Sequence, residues 1–241
     1  MADISATVLD TLRQYDTPTI CNVIELFDVR PRNQGYMNKT IKAAYADLPP
    51  MVGFAATATH RSYINPIDKS AYSALTDQIE RFSDLSGPPV IVFQDLDGDQ
   101  AAATFGEVMC STYKAFGAVG LITSGPGRDM EQVRAIDFPV FTDGVVCSHG
   151  YNHIIGVHVP VQVGGITVSP NDLLHGDVNG VTDIPVDIAA DIADACGEFV
   201  AAEMVVIDLA QNGSPTLAEW KEANAEKSRL IADLKNRIRK V

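Results

Sequence analysis

An α/β fold is what the 241-residue sequence predicts, and three observations carry that reading. Two short apolar, β-branched runs, PVIVF at 89–93 and AVGLIT at 118–123, have the pattern of buried strands, each followed by a polar or glycine-rich loop and then a helix. Residues 153–184 alternate short strand patterns with turns. Residues 216–241 add an amphipathic helix to a domain spanning 1–215: Leu217, Trp220, Ala223, Ile231, Leu234, Ile238 and Val241 keep a 3-4 spacing broken at Lys227.

The elements follow in order. A helix is expected over 4–14, and a second is announced by Asp16-Thr17-Pro18, a cap followed by a first-turn proline. Ile20, Val23, Ile24 and Phe27 then share one helical face. Residues 51–60 (MVGFAATATH) read as a strand and 64–86 as a helix with Ala74, Ile79 and Phe82 apolar. After the 89–93 strand and a polar loop over 94–104, a helix over 106–116 is expected to turn Val108, Met109, Thr112, Tyr113 and Phe116 inward. The 118–123 strand leads into Ser124-Gly125-Pro126-Gly127, a short helix from Arg128 and a strand at 138–141. Val157, Val159, Val161 and Val163 alternate, turns fall at Gly164-Gly165 and Asn179-Gly180, and a helix spans 188–209. The terminal helix either docks within its own chain or packs on a neighbouring subunit.

Composition narrows the function classes. Apolar residues make up 46% and charged residues 20%, ample for a packed core. Eighteen basic against 31 acidic residues give a net charge of −13, which argues against nucleic-acid binding, since that needs a basic surplus. No run reaches the roughly 18 apolar residues of a membrane span, and MADISATVLD lacks the features of a secretory leader. Cys21, Cys110, Cys147 and Cys196 are widely spaced and read as reduced thiols, so a soluble cytoplasmic protein is expected.

Two loops stand out, because each leaves a buried strand and enters a helix, the edge where open α/β sheets bind ligands. The first ends at Gly106-Glu107 and the second at Gly127-Arg128-Asp129, so adjacent strands would bring Glu107, Arg128 and Asp129 together. A helix starting at Gly106 offers the free N–H groups of Val108 and Met109 to an anion. Two carboxylates, a guanidinium and an amide nest suit a carboxylate ligand and a hard cation such as Mg²⁺ (or Mn²⁺), which takes few protein oxygens. The structural alternative is that Asp129 merely favours its own helix start.

Glu107, twenty intervening residues and then Arg128-Asp129 resemble the acid-X20-Arg-Asp signature of the RraA-like family, which includes metal-dependent 4-hydroxy-4-methyl-2-oxoglutarate and 4-carboxy-4-hydroxy-2-oxoadipate aldolases. Phe138-Pro139-Val140-Phe141, the run from Pro160 to Gly165 and the run from Asn171 to Val181 extend the resemblance, as does Asp16-Thr17-Pro18-Thr19; it covers roughly 8–215. It implies a compact β/β/α, swivelling-domain-like fold, a homotrimer or a hexamer, and active sites at subunit boundaries. It further implies that Asp129 binds the metal, that Glu107 holds a metal-bound water, and that Arg128 contacts the ketone oxygen of a small 2-oxo acid. The substrate carboxylate would rest on the amides at Gly106, Val108 and Met109, and Glu203 would approach the metal from a neighbouring subunit. The implied activity is that of a metal-dependent (class II) pyruvate aldolase or oxaloacetate decarboxylase-like lyase. Three departures bear on it: Glu107 replaces an aspartate, Ser124 stands where many members carry aspartate, and Asn171 replaces a glycine.

Rival readings are weaker. A Schiff-base lysine would have to be Lys114, about 10 Å along the helix from Glu107. His149, His153 and His158 are broken up by Gly150 and Gly156, which does not suit a zinc helix, though one of them lining the pocket stays open. Gly125-Pro126-Gly127 completes no phosphate-loop or dinucleotide motif, and Asp177-Val178-Asn179-Gly180 reads as a hairpin turn. A methyltransferase would need a glycine-rich cofactor loop that the sequence lacks. The alternative of another class is a non-catalytic regulator that binds a ribonuclease or another protein partner through its acidic surface. Arg61 and Arg134 are candidates for the distal group of a dicarboxylic substrate.

Overall fold

The computed structural model describes residues 4–66, 68, 73–100 and 102–239. Two helices lead in. Ser5 caps α1 (Ala6–Leu12), and Asp16 caps α2 (Thr17–Phe27), its Oδ1 accepting the Thr19 N–H at 2.8 Å. Ile20, Val23 and Ile24 are buried, as their spacing requires.

The main sheet is built from β1 (Lys42–Ala43), β2 (Met51–Arg61), β3 (Pro89–Asp95), β4 (Gly120–Thr123), β5 (Val140–Thr142), β6 (His153–Val157), β9 (Leu173–Asp177) and β10 (Gly180–Ile184). Its order is β1-β5-β4-β3-β2-β9-β10, with β6 pairing to β2. β2 through β5 run parallel in the centre; β1, β6 and β9 join antiparallel. The hairpin of β7 (Val161–Val163) and β8 (Ile166–Val168) turns at Gly164-Gly165.

Alternation along the strands sorts two faces. Met51, Ala55, Val90, Val92 and Ile122 point into a core that the curling sheet closes with Val161, Val163 and Val168. The opposite face carries the helices. Val52 and Phe54 pack on α1, α2 and the long α6 (Ala189–Gln211), while Ile91, Phe93 and Leu121 pack under α4 (Glu107–Ala115) and α5 (Met130–Ala135). This mixed α/β, nearly closed sheet with a helical outer layer matches the fold class expected from sequence. α7 (Leu217–Ile238), opened by a Thr216–Glu219 capping box, packs along α6 of its own chain and buries Leu234 and Ile238. Val241 lies outside the described residues.

Four expectations are corrected. Of the helix expected over 64–86, only α3 (Leu75–Glu80) and a following 3-10 turn form, with 67 and 69–72 outside the described residues. Pro66 disfavours helical geometry at Asn65, and the Ser73 N–H is taken by the Ile154 carbonyl at 3.0 Å. In α4 the buried side chains are Cys110 and Tyr113, while Val108 and Phe116 stand 77% and 60% exposed. The short helix starts at Met130, since Asp129 before it is left-handed with φ +56°. The valine alternation spans two strands, because His158 at φ +59° and Pro160 part β6 from β7.

Candidate active site

β3 and β4 are parallel neighbours, so the loops that leave their carboxyl ends run side by side. The pairing continues past the strands. Thr104 N–H donates to the Pro126 carbonyl at 2.8 Å, Arg128 N–H to Phe105 at 3.1 Å, and Gly127 N–H to Gly144 at 3.0 Å. Phe105 packs so closely over Gly127 that a Cβ there would collide with its ring. Beneath, Thr104 and Thr123 share a 2.9 Å hydroxyl contact, Thr123 Oγ1 accepts the Gly125 N–H, and Thr142 Oγ1 donates to the Gly125 carbonyl at 2.7 Å.

These loops bring the Arg-Asp pair onto the start of α4. Asp129 Oδ2 accepts the Glu107 N–H at 3.0 Å and lies 3.6 Å from Arg128 Nε. Its carboxylate makes no side-chain capping bond to α5. A Cβ on Gly106 would sit 2.6 Å from Asp129 Oδ2 and 3.1 Å from Arg128 Nε, so only glycine leaves room for both. The N–H groups of Val108 and Met109 have no partner among the described residues, nor does the exposed Glu107 carboxylate.

An open cleft of about 600 Å³ begins at this floor. Phe105, Gly106, Val108, Met109 and Arg128 form its base; Leu75 and the segment from His149 to Ile154 form its far wall. Asn152 is fixed from behind, its Oδ1 taking the Nε2 proton of buried His60 at 3.0 Å. Burial drives the His60 pKa down to about 4. The 149–154 wall was only partly foreshadowed by its histidines, and the His60–Asn152 support carried no sequence signal.

Burial, reinforced by Asp97 and Asp143, pushes the Asp95 carboxyl at the end of β3 up to about 6. Ser124, the departure beside the site, accepts the Asp95 N–H at 2.9 Å. Asn171 is left-handed at φ +70° and bridges to Ser86 through both amide atoms, so a local turn explains why it replaces glycine there.

Other candidates stand elsewhere. Glu203 lies on α6, the helix packed against α1, α2 and α7. Lys114 donates to the Ile136 carbonyl. Arg61 pairs with Asp97, and Arg134 with Asp47 and Asp137; neither lines the cleft. His153 sits on a strand, not on a helix with His149. Asp177 to Gly180 forms the β9–β10 turn, with Asp177 Oδ1 accepting the Asn179 N–H at 2.8 Å.

Among the described residues no three His, Cys, Asp or Glu side chains gather to hold a metal. Within one chain the described donors fall short of the three or four side-chain ligands of a zinc site, whereas a hard cation makes a smaller demand on such a donor set. The set suits Mg²⁺ or Mn²⁺, which accept one or two carboxylates and complete their shell with water and substrate oxygens. Asp129 Oδ1, without a partner among the described residues, and Glu107 are the groups that would hold it.

The geometry sits beside four findings from known proteins. The model of a family described as "RraA-like: Aldolase/RraA" matches residues 17–182. A protein of Halalkalibacterium halodurans named "Putative 4-hydroxy-4-methyl-2-oxoglutarate aldolase" is 33% identical over 101 residues, 42% of this chain and 48% of that one. The chain spans about half or less of the length of the curated relatives it matches. An uncharacterized protein from Pseudomonas syringae pv. tomato superposes with a TM-score of 0.71 at 22% identity, covering 93% of this chain and 95% of that one. A Streptomyces coelicolor structure, described as an unusual member of the RNase ES inhibitor RraA protein family, superposes at 0.65 and 21% identity, covering 84% and 96%. These two likenesses speak for the fold. No helix among the described residues is long and apolar enough to cross a membrane.

Proposed function

The chain belongs to the RraA-like family, and from that premise we propose that it is a divalent-metal-dependent lyase that cleaves or decarboxylates a small 2-oxo acid through a pyruvate enolate. The observation that carries the reading is the Asp129 carboxylate, tied to the Glu107 N–H at 3.0 Å and 3.6 Å from Nε of Arg128, which lines an open cleft.

The residues divide the work. The unspent amides of Val108 and Met109 receive the substrate carboxylate at the positive end of α4. Arg128 faces the C2 oxygen, where negative charge develops as the C3–C4 bond breaks. The bonding pair of C3–C4 becomes the C2–C3 double bond of the enolate. In aldol cleavage the C4 hydroxyl proton leaves to a water positioned by Glu107 and C4 departs as an aldehyde or ketone. In decarboxylation C4 departs as CO₂. Protonation at C3 then gives pyruvate in both cases. Mg²⁺ or Mn²⁺ bound at Asp129 supplies Lewis-acid stabilisation of the same oxygen charge. Glu203 belongs to this proposal as a group offered by a neighbouring subunit of a homotrimer or hexamer.

Pyruvate release from oxaloacetate, followed through a coupled reductase, tests the reading. Turnover should require Mg²⁺ or Mn²⁺, vanish with EDTA and return on adding metal back. EDTA-resistant turnover that borohydride traps with substrate would point to a lysine enzyme instead. Absence of pyruvate with every 2-oxo acid tried would turn the reading to a binding protein.

A further inference from the structure

Among the described residues the floor of the cleft carries Arg128, and its far wall carries no Lys, Arg, Asp or Glu side chain. Leu75, Met109, Tyr151 and Ile154 line the space, interleaved with Ser73, His149, Asn152 and His153. Among the described residues Arg128 is the one Lys or Arg side chain that lines it. The other nearby cations are engaged elsewhere: Arg61 lies 3.3 Å from Asp97, itself 5% exposed, and Arg134 lies 2.6 Å from both Asp47 and Asp137. His149 and His153 each direct Nδ1 to a neighbouring backbone carbonyl, at 2.8 Å in both cases.

A carboxylate brought against aliphatic side chains without a counter-charge loses hydration that nothing replaces. An apolar or aromatic group brought to the same wall is stabilised by leaving water. Resting on the lyase reading of the floor, we propose that the far wall selects 2-oxo acids whose C4 substituent is uncharged and apolar or aromatic. Leu75, Tyr151 and Ile154 of the wall, with Met109 of the base, set that preference. The wall does not drift, because buried His60 holds Asn152, whose Nδ2 lies 3.7 Å from Met109 Sδ. Retro-aldol cleavage of such a substrate releases pyruvate and an apolar aldehyde or ketone, with the same electron count as above.

A matched pair of uncleavable compounds tests the wall directly: 4-phenyl-2-oxobutanoate, and 2-oxoglutarate, which carries a carboxylate in place of the phenyl. Calorimetry on the full chain with Mg²⁺, at about pH 8, should give a Kd about tenfold or more lower for the phenyl compound. Turnover of the corresponding 4-hydroxy compounds should favour the phenyl substrate in kcat/KM by a similar factor. Leu75→Arg should move the ratio of the two Kd values about tenfold toward 2-oxoglutarate. Equal or tighter binding of 2-oxoglutarate by the wild type overturns the assignment. Exchange of the pyruvate methyl protons in D₂O reports on the floor alone and separates the two failures. Exchange with a dicarboxylate preference overturns only the wall. No exchange with the phenyl preference intact supports the wall and overturns the lyase chemistry. No exchange and no binding of either compound overturns both.

Discussion

Gly106→Ala isolates the geometry of the site from its chemistry, because the substitution adds one methyl group and removes no functional side chain. The backbone there is extended, with φ −160°, so alanine itself is unstrained. Its Cβ would nevertheless lie 2.6 Å from Asp129 Oδ2, 3.1 Å from Arg128 Nε and 3.2 Å from Arg128 Cγ, against an ordinary contact that begins near 3.4 Å. The carboxylate oxygen must therefore retreat by about 0.8 Å, and it can do so only by stretching its 3.0 Å bond to the Glu107 N–H. A misplacement of about 1 Å at a reacting centre costs on the order of 10²-fold in rate, or about 2.7 kcal/mol of barrier. The stability cost is smaller: alanine for glycine at a helix N-cap costs about 1 kcal/mol. For a chain of this length that is a fall in Tm of roughly 2–4 °C. Metal-dependent pyruvate release and thermal unfolding, measured on the same preparation, check both numbers. A folded variant whose kcat/KM stays within about threefold of wild type would refute the claim that Asp129 and Arg128 work only in this arrangement.

Arg128→Ala, which removes a stabiliser of developing oxyanion charge, and Asp129→Ala, which removes the carboxylate proposed to hold the metal, should each lower kcat by about 10²–10³-fold with an unchanged circular-dichroism spectrum. Tyr113→Phe should destabilise by about 1–3 kcal/mol, because the buried Gln78 Oε1 that accepts the Tyr113 hydroxyl at 2.6 Å is left without its donor; denaturant titration reads it, and an unchanged midpoint counts against that cost. Burial holds Asp95 protonated up to about pH 6, above its ordinary 3.8, so the folded chain keeps a proton that the unfolded chain has released. The stability this provides is present below about pH 4 and is lost as pH rises through about 6. Asp95→Asn removes that loss, so its Tm relative to wild type should climb between about pH 4.5 and 7.5; a pH-independent difference would exclude the ionisation.

What the sequence made legible follows from how local each signal is. The caps at Asp16 and Thr216, the buried runs that became β3 and β4, and the neighbouring loops all rest on periodicity or on one or two side chains. Hence Glu107, Arg128 and Asp129 could be placed together, since parallel neighbouring strands dictate it. Orientation within an element was harder. Val108 has the character of an inward residue, yet the sheet meets α4 through Cys110 and Tyr113 and leaves Val108 exposed in the lining of the cleft. The region 64–86 failed for a related reason: its apolar residues suit a helix, but the Ser73 bond to Ile154 across the chain overrides the local preference before α3. The His60–Asn152 contact spans 92 residues and joins two polar side chains of no particular spacing. Only the folded chain brings them together.

The direction of the Asp129 side chain bears on function more than its proximity to Arg128 does. An aspartate directly before a helix ordinarily caps that helix, which requires extended backbone and a carboxylate turned onto the next two or three N–H groups. Asp129 does neither. It is held left-handed at φ +56°, a conformation that disfavours most side chains, and its carboxylate crosses to the first N–H of a different helix. α5 is left without that cap, and Gly106 is left without room for a side chain. Two local stabilising options are thus forgone at adjacent loops, and what they produce in common is a carboxylate 3.6 Å from a guanidinium that lines the cleft. Strain of this kind concentrates where a protein must hold a ligand in one geometry. A chain that used Arg128-Asp129 only to start a helix would have kept the cap.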